Sequence, residues 1–114
     1  MFQSNSLKDR LILICVFMFI SVGILADSKS KKLYLENCMV CHDGDGSGAM
    51  PGVSDLSVTR AWLEITTNEL LLKLKKGITN PGSPISMPPK GGNEKLTDQD
   101  LLEIISYMRK KFNK

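Results

Sequence analysis

Five consecutive residues, Cys38-Met39-Val40-Cys41-His42, hold two of the three cysteines and the only histidine of a 114-residue chain. Cys-x-x-Cys-His is the attachment pattern of a c-type haem: the thiols add across two vinyl groups and the adjacent imidazole becomes the proximal iron ligand. The spacing has a physical basis, because two thioether bonds on one helical turn pin the porphyrin edge and the next residue then lies where it can reach the iron. A redox dithiol would use the same Cys-x-x-Cys, but it usually follows a strand in a βαβ setting, and no such pattern is visible here. A zinc site would need a fourth ligand that only an acid could supply, and a plain disulfide would leave His42 unexplained. Covalent haem is the reading the motif favours, with a haem-free dithiol redox protein as the alternative.

If haem is bound, the sixth position on the iron decides the function. Downstream of the apolar N-terminus the methionines are Met39, Met50, Met87 and Met108. Met39 lies within the attachment loop, Met50 comes soon after His42, and Met108 fits the buried stripe of a helix, so each reads as a gap-filling side chain. Met87 sits in Ser83-Pro84-Ile85-Ser86-Met87-Pro88-Pro89-Lys90-Gly91-Gly92, where Pro88 restricts it to extended backbone and Pro89 stiffens the next stretch of chain. A stiff loop can hold a weak thioether against iron at little entropic cost. With Met87 displaced, the site would be open, as in a gas sensor or a peroxidase-like enzyme.

The elements that must position these residues are helical. Ser30 to Asn37 has no Gly or Pro and runs directly into Cys38, which predicts a short helix; His42 to Gly52, with four glycines and a proline, predicts a loop. A short helix is expected within Thr59 to Ile65. A better one spans Thr66 to Lys76, with Thr66 and Glu69 as a capping box and Gly77 as the stop. Gly77 to Asn93 holds four prolines and four glycines and is expected to form neither helix nor central strand. Thr97 with Asp100 caps the last helix, whose apolar series Leu101, Leu102, Ile104, Ile105, Met108 and Phe112 keeps a helical period. The expected fold is all-α, three to five helices around one haem, with long loops that need something to pack on.

At the N-terminus Lys8 and Arg10 precede the run Leu11 to Leu25, apolar apart from Ser21 and Gly23, before polarity returns with Asp27-Ser28-Lys29. Fifteen helical residues rise roughly 22 Å against a hydrocarbon core of roughly 30 Å. Residues 1–26 therefore read as a secretory signal peptide cleaved near Ala26, or as an uncleaved N-terminal anchor in contact with the membrane, and residues 27–114 as a monohaem domain exported to the periplasm. Cys15 fills the apolar run. Residues 27–114 carry 13 Lys+Arg against 11 Asp+Glu. A net +2 with few aromatics excludes a nucleic-acid binder. No paired acids, nucleophile–base set or phosphate loop accompanies the motif, so an electron carrier is favoured over an enzyme.

The pentapeptide together with Met87-Pro88-Pro89-Lys90-Gly91-Gly92-Asn93, Leu96-Thr97-Asp98 and Tyr107-Met108 resembles the small class I c-type cytochromes, in particular the cytochrome c-five subgroup. The likeness covers roughly residues 30 to 112. It implies thioethers at Cys38 and Cys41, with His42 proximal and Met87 distal. It also implies that the Pro51 carbonyl accepts the imidazole N–H, that Trp62 lies near the haem, and that Tyr34 and Tyr107 lie near the crossing of the first and last helices. The expected partners are redox proteins such as a membrane cytochrome complex, a terminal oxidase or a reductase, with Lys73, Lys75, Lys76, Lys90 and Lys95 as candidates to steer an acidic surface. The chain departs from the subgroup in Asp43 and Asp45 after the histidine, in Leu56 to Thr66, and in carrying no additional cysteine pair.

Overall fold

The computed structural model describes residues 6–113, the side chains of 6 and 16–24 excepted. Among the described residues five α-helices and one 3₁₀ turn come in this order: α1 Ser6–Asn37, α2 Met39–His42, α3 Ala61–Glu64, α4 Thr67–Lys76, the 3₁₀ turn Pro89–Gly92, and α5 Asp98–Phe112. Among the described residues no strand forms; an isolated antiparallel bridge joins Ile78 and Met87. The architecture is all-α, as the sequence predicts.

The helix expected from Ser30 begins instead at Ser6. The change in polarity at Asp27 does not break it, because no Gly or Pro lies between Leu25 and Asn37, and the Ser30 hydroxyl donates to the Ala26 carbonyl at 2.6 Å. This stretch also meets α5 through Asp27–Lys110 at 2.9 Å and Lys29–Asp100 at 3.5 Å. Asp27–Lys110 is exposed while Asp100 is partly buried; pairs this open to solvent are worth about 1 kcal/mol or less, so they orient α1 more than they stabilise it. The middle of the apolar run lies outside the described side chains. Among the described residues no helix is long and apolar enough to cross a membrane.

Local signals set the other helices. Thr66 accepts from the Glu69 amide at 3.2 Å while Glu69 accepts from the Thr66 amide at 2.8 Å, and Thr97 and Asp100 exchange the same two bonds at 3.1 Å each. These reciprocal caps hold both side-chain carboxyls below the usual carboxylate range. The Gly- and Pro-rich stretch forms no regular helix, as expected: the short 3₁₀ turn that Pro89 opens carries left-handed φ at Lys90 (54°) and Gly91 (64°).

The core forms where the first and last helices cross. Tyr34 of α1 is fully buried against Tyr107 and Phe112 of α5, with ring centroids 5.2 and 5.5 Å away. Tilted aromatic contacts of this kind add about 0.5–1.5 kcal/mol each beyond the area they bury. Leu101, Ile104, Ile105 and Met108 continue the buried face of α5 towards Leu70 and Leu74 of α4. Arg109, also on α5, donates from Nη2 to the Ile65 carbonyl at 2.6 Å and so fixes the junction between α3 and α4.

Candidate cofactor site

Cys38 and His42 lie one helical turn apart, because α2 carries the chain through the motif: the His42 amide donates to the Cys38 carbonyl at 2.9 Å and the Cys41 amide to the same oxygen at 3.2 Å. The Cys38 amide in turn bonds the Tyr34 carbonyl at 2.8 Å, so α1 hands its register to the motif. Just beyond, Asp43 takes a positive φ of 64° and its carbonyl accepts the Tyr34 hydroxyl at 2.7 Å. Tyr34 thus ties down both sides of the motif.

Cys38, Cys41 and His42 line one wall of a cavity of about 380 Å³, and Met87 lines it as well. Leu56, Trp62, Leu70, Leu74, Leu101 and Ile104 supply much of the rest of its surface. Most of the buried core cluster lines this space, so the core and the cavity share the same apolar surface. Ser54 lines the same cavity as the imidazole, whose Nδ1 is buried without a partner. Burial holds the His42 pKa below its ordinary value against the opposing bond to Ser54, which favours the neutral ring that can ligate a metal. Two thiols, a neutral imidazole with a buried free nitrogen, a thioether and an apolar cavity fit a covalently attached haem.

The thiols fit the dithiol alternative poorly. Burial, then the neighbouring Cys41, pushes the Cys38 thiol up to about 11, whereas an exchange-active cysteine needs a depressed pKa. Among the described residues no group of three or more His, Cys, Asp or Glu side chains forms a metal cage.

Met87 is held through its backbone. Its amide donates to the Ile78 carbonyl at 2.8 Å and its carbonyl accepts from the Ile78 amide at 2.9 Å. The approach is close enough to require glycine at position 77: φ there is +80°, and a Cβ would stand 2.7 Å from the Met87 oxygen. Beyond the prolines, Lys90 adopts φ 54° and its ammonium is drawn back onto the carbonyls of Glu94 and Leu96, at 3.1 and 2.9 Å.

Trp62 is buried in the cavity wall, and its indole N–H donates to the Leu56 carbonyl at 3.1 Å. Pro51 is exposed next to the stretch of wall formed by Gly52, Val53 and Ser54, and the backbone that meets the imidazole belongs to Ser54. Among the lysines, Lys75 pairs with Asp98 at 2.8 Å and Lys90 turns inward, while Lys73 lines the cavity. Sequence reasoning has no signal for Ser54 or for the Tyr34–Asp43 bond, since each depends on how a glycine-rich loop folds back.

A family model described as Cytochrome c matches residues 28–111. Cytochrome c-555 of Prosthecochloris aestuarii is 30% identical over 86 residues, covering 71% of this chain and 83% of that protein. Cytochrome c-555 of Chlorobaculum tepidum is 36% identical over 78 residues, 68% of this chain and 69% of its own. Cytochrome c-555 of Chlorobaculum thiosulfatiphilum is 33% identical over 78 residues, covering 68% of this chain and 87% of the relative. No solved structure matches significantly.

Proposed function

The chain belongs to the cytochrome c family, electron carriers with one covalent haem c, and from that premise we propose that it moves single electrons with His42 and Met87 as the two axial ligands. The observation that carries the proposal is that Met87, far from the motif in sequence, lines the same cavity as Cys38, Cys41 and His42. When bound, the haem supplies a one-electron change at iron between ferrous and ferric states. The chain's own residues do the rest. Cys38 and Cys41 hold the group covalently in a domain whose core is too small to close without it. His42 presents a neutral imidazole, and Ser54 orients its ring. Met87, fixed by Ile78, fills the remaining position, so no site is left for substrate. The apolar wall around Leu70, Leu74, Leu101 and Ile104 excludes water and disfavours the more highly charged oxidised state, raising the reduction potential.

Residues 1–26 act in this proposal as the export signal, cleaved near Ala26 or kept as an anchor, and residues 27–114 work in the periplasm between redox proteins such as a membrane cytochrome complex and a terminal oxidase or reductase. With Lys75 and Lys90 engaged, Lys73, Lys76 and Lys95 make up the basic rim offered to an acidic partner. The test is a ferric optical spectrum of protein made with haem-maturation machinery, with its denatured mass. A single covalent haem with the long-wavelength sulfur-to-iron charge-transfer band, and loss of that band but not of the haem in Met87→Ala, is the expected result. A high-spin, open-site spectrum in the unaltered protein refutes the ligand assignment.

A further inference from the structure

The loop beyond Met87 returns to the helix that carries the thiols. Asn93 Nδ2 donates to Asn37 Oδ1 at 2.7 Å, across 56 residues, and the contact is partly buried. Both amides are otherwise committed in ways that fix their orientation: Asn37 Nδ2 donates to the Leu33 carbonyl at 2.8 Å within α1, and Asn93 Oδ1 accepts from the Lys95 amide at 3.1 Å. The backbones draw together at the same point, where a Cβ on Gly91, at φ +64°, would stand 3.1 Å from the Asn37 oxygen. Asn37 is the residue immediately before Cys38, and both Asn37 and Gly91 line the cavity.

Met87 is therefore bracketed. The Ile78 bridge holds its own backbone, and the Asn37–Asn93 bond closes the far end of its loop against the attachment motif. Without the second restraint the loop beyond Pro88 is free to part from α1, loosening the segment that carries Met87. We propose that Asn37 and Asn93 are positioning residues for the sixth iron position, and that their bond sets how readily an external ligand displaces Met87. The inference rests on the His42/Met87 reading.

The test is titration of the ferric holoprotein with imidazole, monitored by loss of the sulfur-to-iron band, in the unaltered protein and in Asn37→Ala, Asn93→Ala and the double variant. Each asparagine has a separate local bond, so the pair is isolated by the double-mutant cycle and not by either variant alone. Loss of one partly buried hydrogen bond corresponds to about a fivefold rise in apparent imidazole affinity in each single variant, and the double variant should rise by clearly less than the product of the two. Gly91→Ala, which forces the same two backbones apart, should shift affinity in the same direction. Unchanged affinities, fully multiplicative effects, or a lowered Tm with no change in affinity would each overturn the proposal while leaving Met87 as ligand. Absence of the band from the unaltered protein would overturn the ligand reading and this inference with it.

Discussion

Gly77→Ala should damage the protein far more than Gly82→Ala, although both glycines have nearly the same φ, +80° and +81°. At Gly82 an added methyl meets nothing within 4 Å, so the cost is backbone strain alone, about 1–2 kcal/mol. At Gly77 the same methyl would stand 2.7 Å from the Met87 oxygen and 3.0 Å from the Pro89 nitrogen, both backbone atoms that no rotamer change can move. Relief requires parting the Ile78–Met87 bridge and its two hydrogen bonds, at about 1 kcal/mol each. The sum is about 3–4 kcal/mol, a large fraction of the 5–15 kcal/mol that holds a typical domain together. For a domain of this size it corresponds to a fall in Tm of about 12–32 °C, against about 4–16 °C for Gly82→Ala. Thermal unfolding of the two holoproteins, monitored by circular dichroism and by the sulfur-to-iron band, checks both arms. In Gly77→Ala the band should weaken before the helices melt. Equal Tm values for the two variants would refute the claim that Gly77 serves the Met87 segment.

Single contacts carry their own expected outcomes. Tyr34→Phe removes the donor to the Asp43 carbonyl without emptying the core; the denaturant midpoint should fall by the equivalent of about 1 kcal/mol, and an unchanged midpoint would show that the bond does not hold the motif. Asp100 is a carboxylate whose folded pKa lies below its ordinary value, chiefly through its bonds to Thr97, so it contributes stability above about pH 4 and loses that contribution as pH falls further. Asp100→Asn should flatten the acid limb of the Tm–pH curve, and an identical limb in variant and parent would count against the cap. In haem-free protein Cys38, raised from 9.0 to about 11, should hold about a hundredfold less thiolate than an ordinary cysteine at neutral pH. Alkylation with mass-spectrometric detection should therefore be slow at that position, and rapid labelling would revive the dithiol alternative.

Features encoded within four or five residues are legible in the sequence. Thr66 with Glu69 and Thr97 with Asp100 announce their own caps, and Cys38 to His42 carries a recognisable attachment pattern because one helical turn suffices to bring two thiols and an imidazole together. The start of α1 is misread from sequence because a change from apolar to charged residues resembles a boundary, yet a change in polarity alone does not stop a helix. Pro89 reads as a breaker and does stop regular helix, opening only a short turn whose next two residues are left-handed. Ser54, Asn93 and the inward-turned Lys90 have no signature at all: their roles come from partners brought close by loop folding, and nothing in the spacing of polar residues encodes which carbonyl a given N–H will find.

The crossing of α1 and α5 also sets an order of events in time. Tyr34, which stands before the thiols, finds its apolar partners Tyr107 and Phe112 only at the end of the chain. During synthesis the cysteines emerge long before anything can cover them; at about 5–20 residues per second the wait from Cys41 to Phe112 lasts about 4–14 seconds. Through that interval Cys38 and Cys41 belong to a chain whose first helix still lacks its apolar cover. Placing α5 after residues 38–42 thus lets that segment form first and be enclosed afterwards.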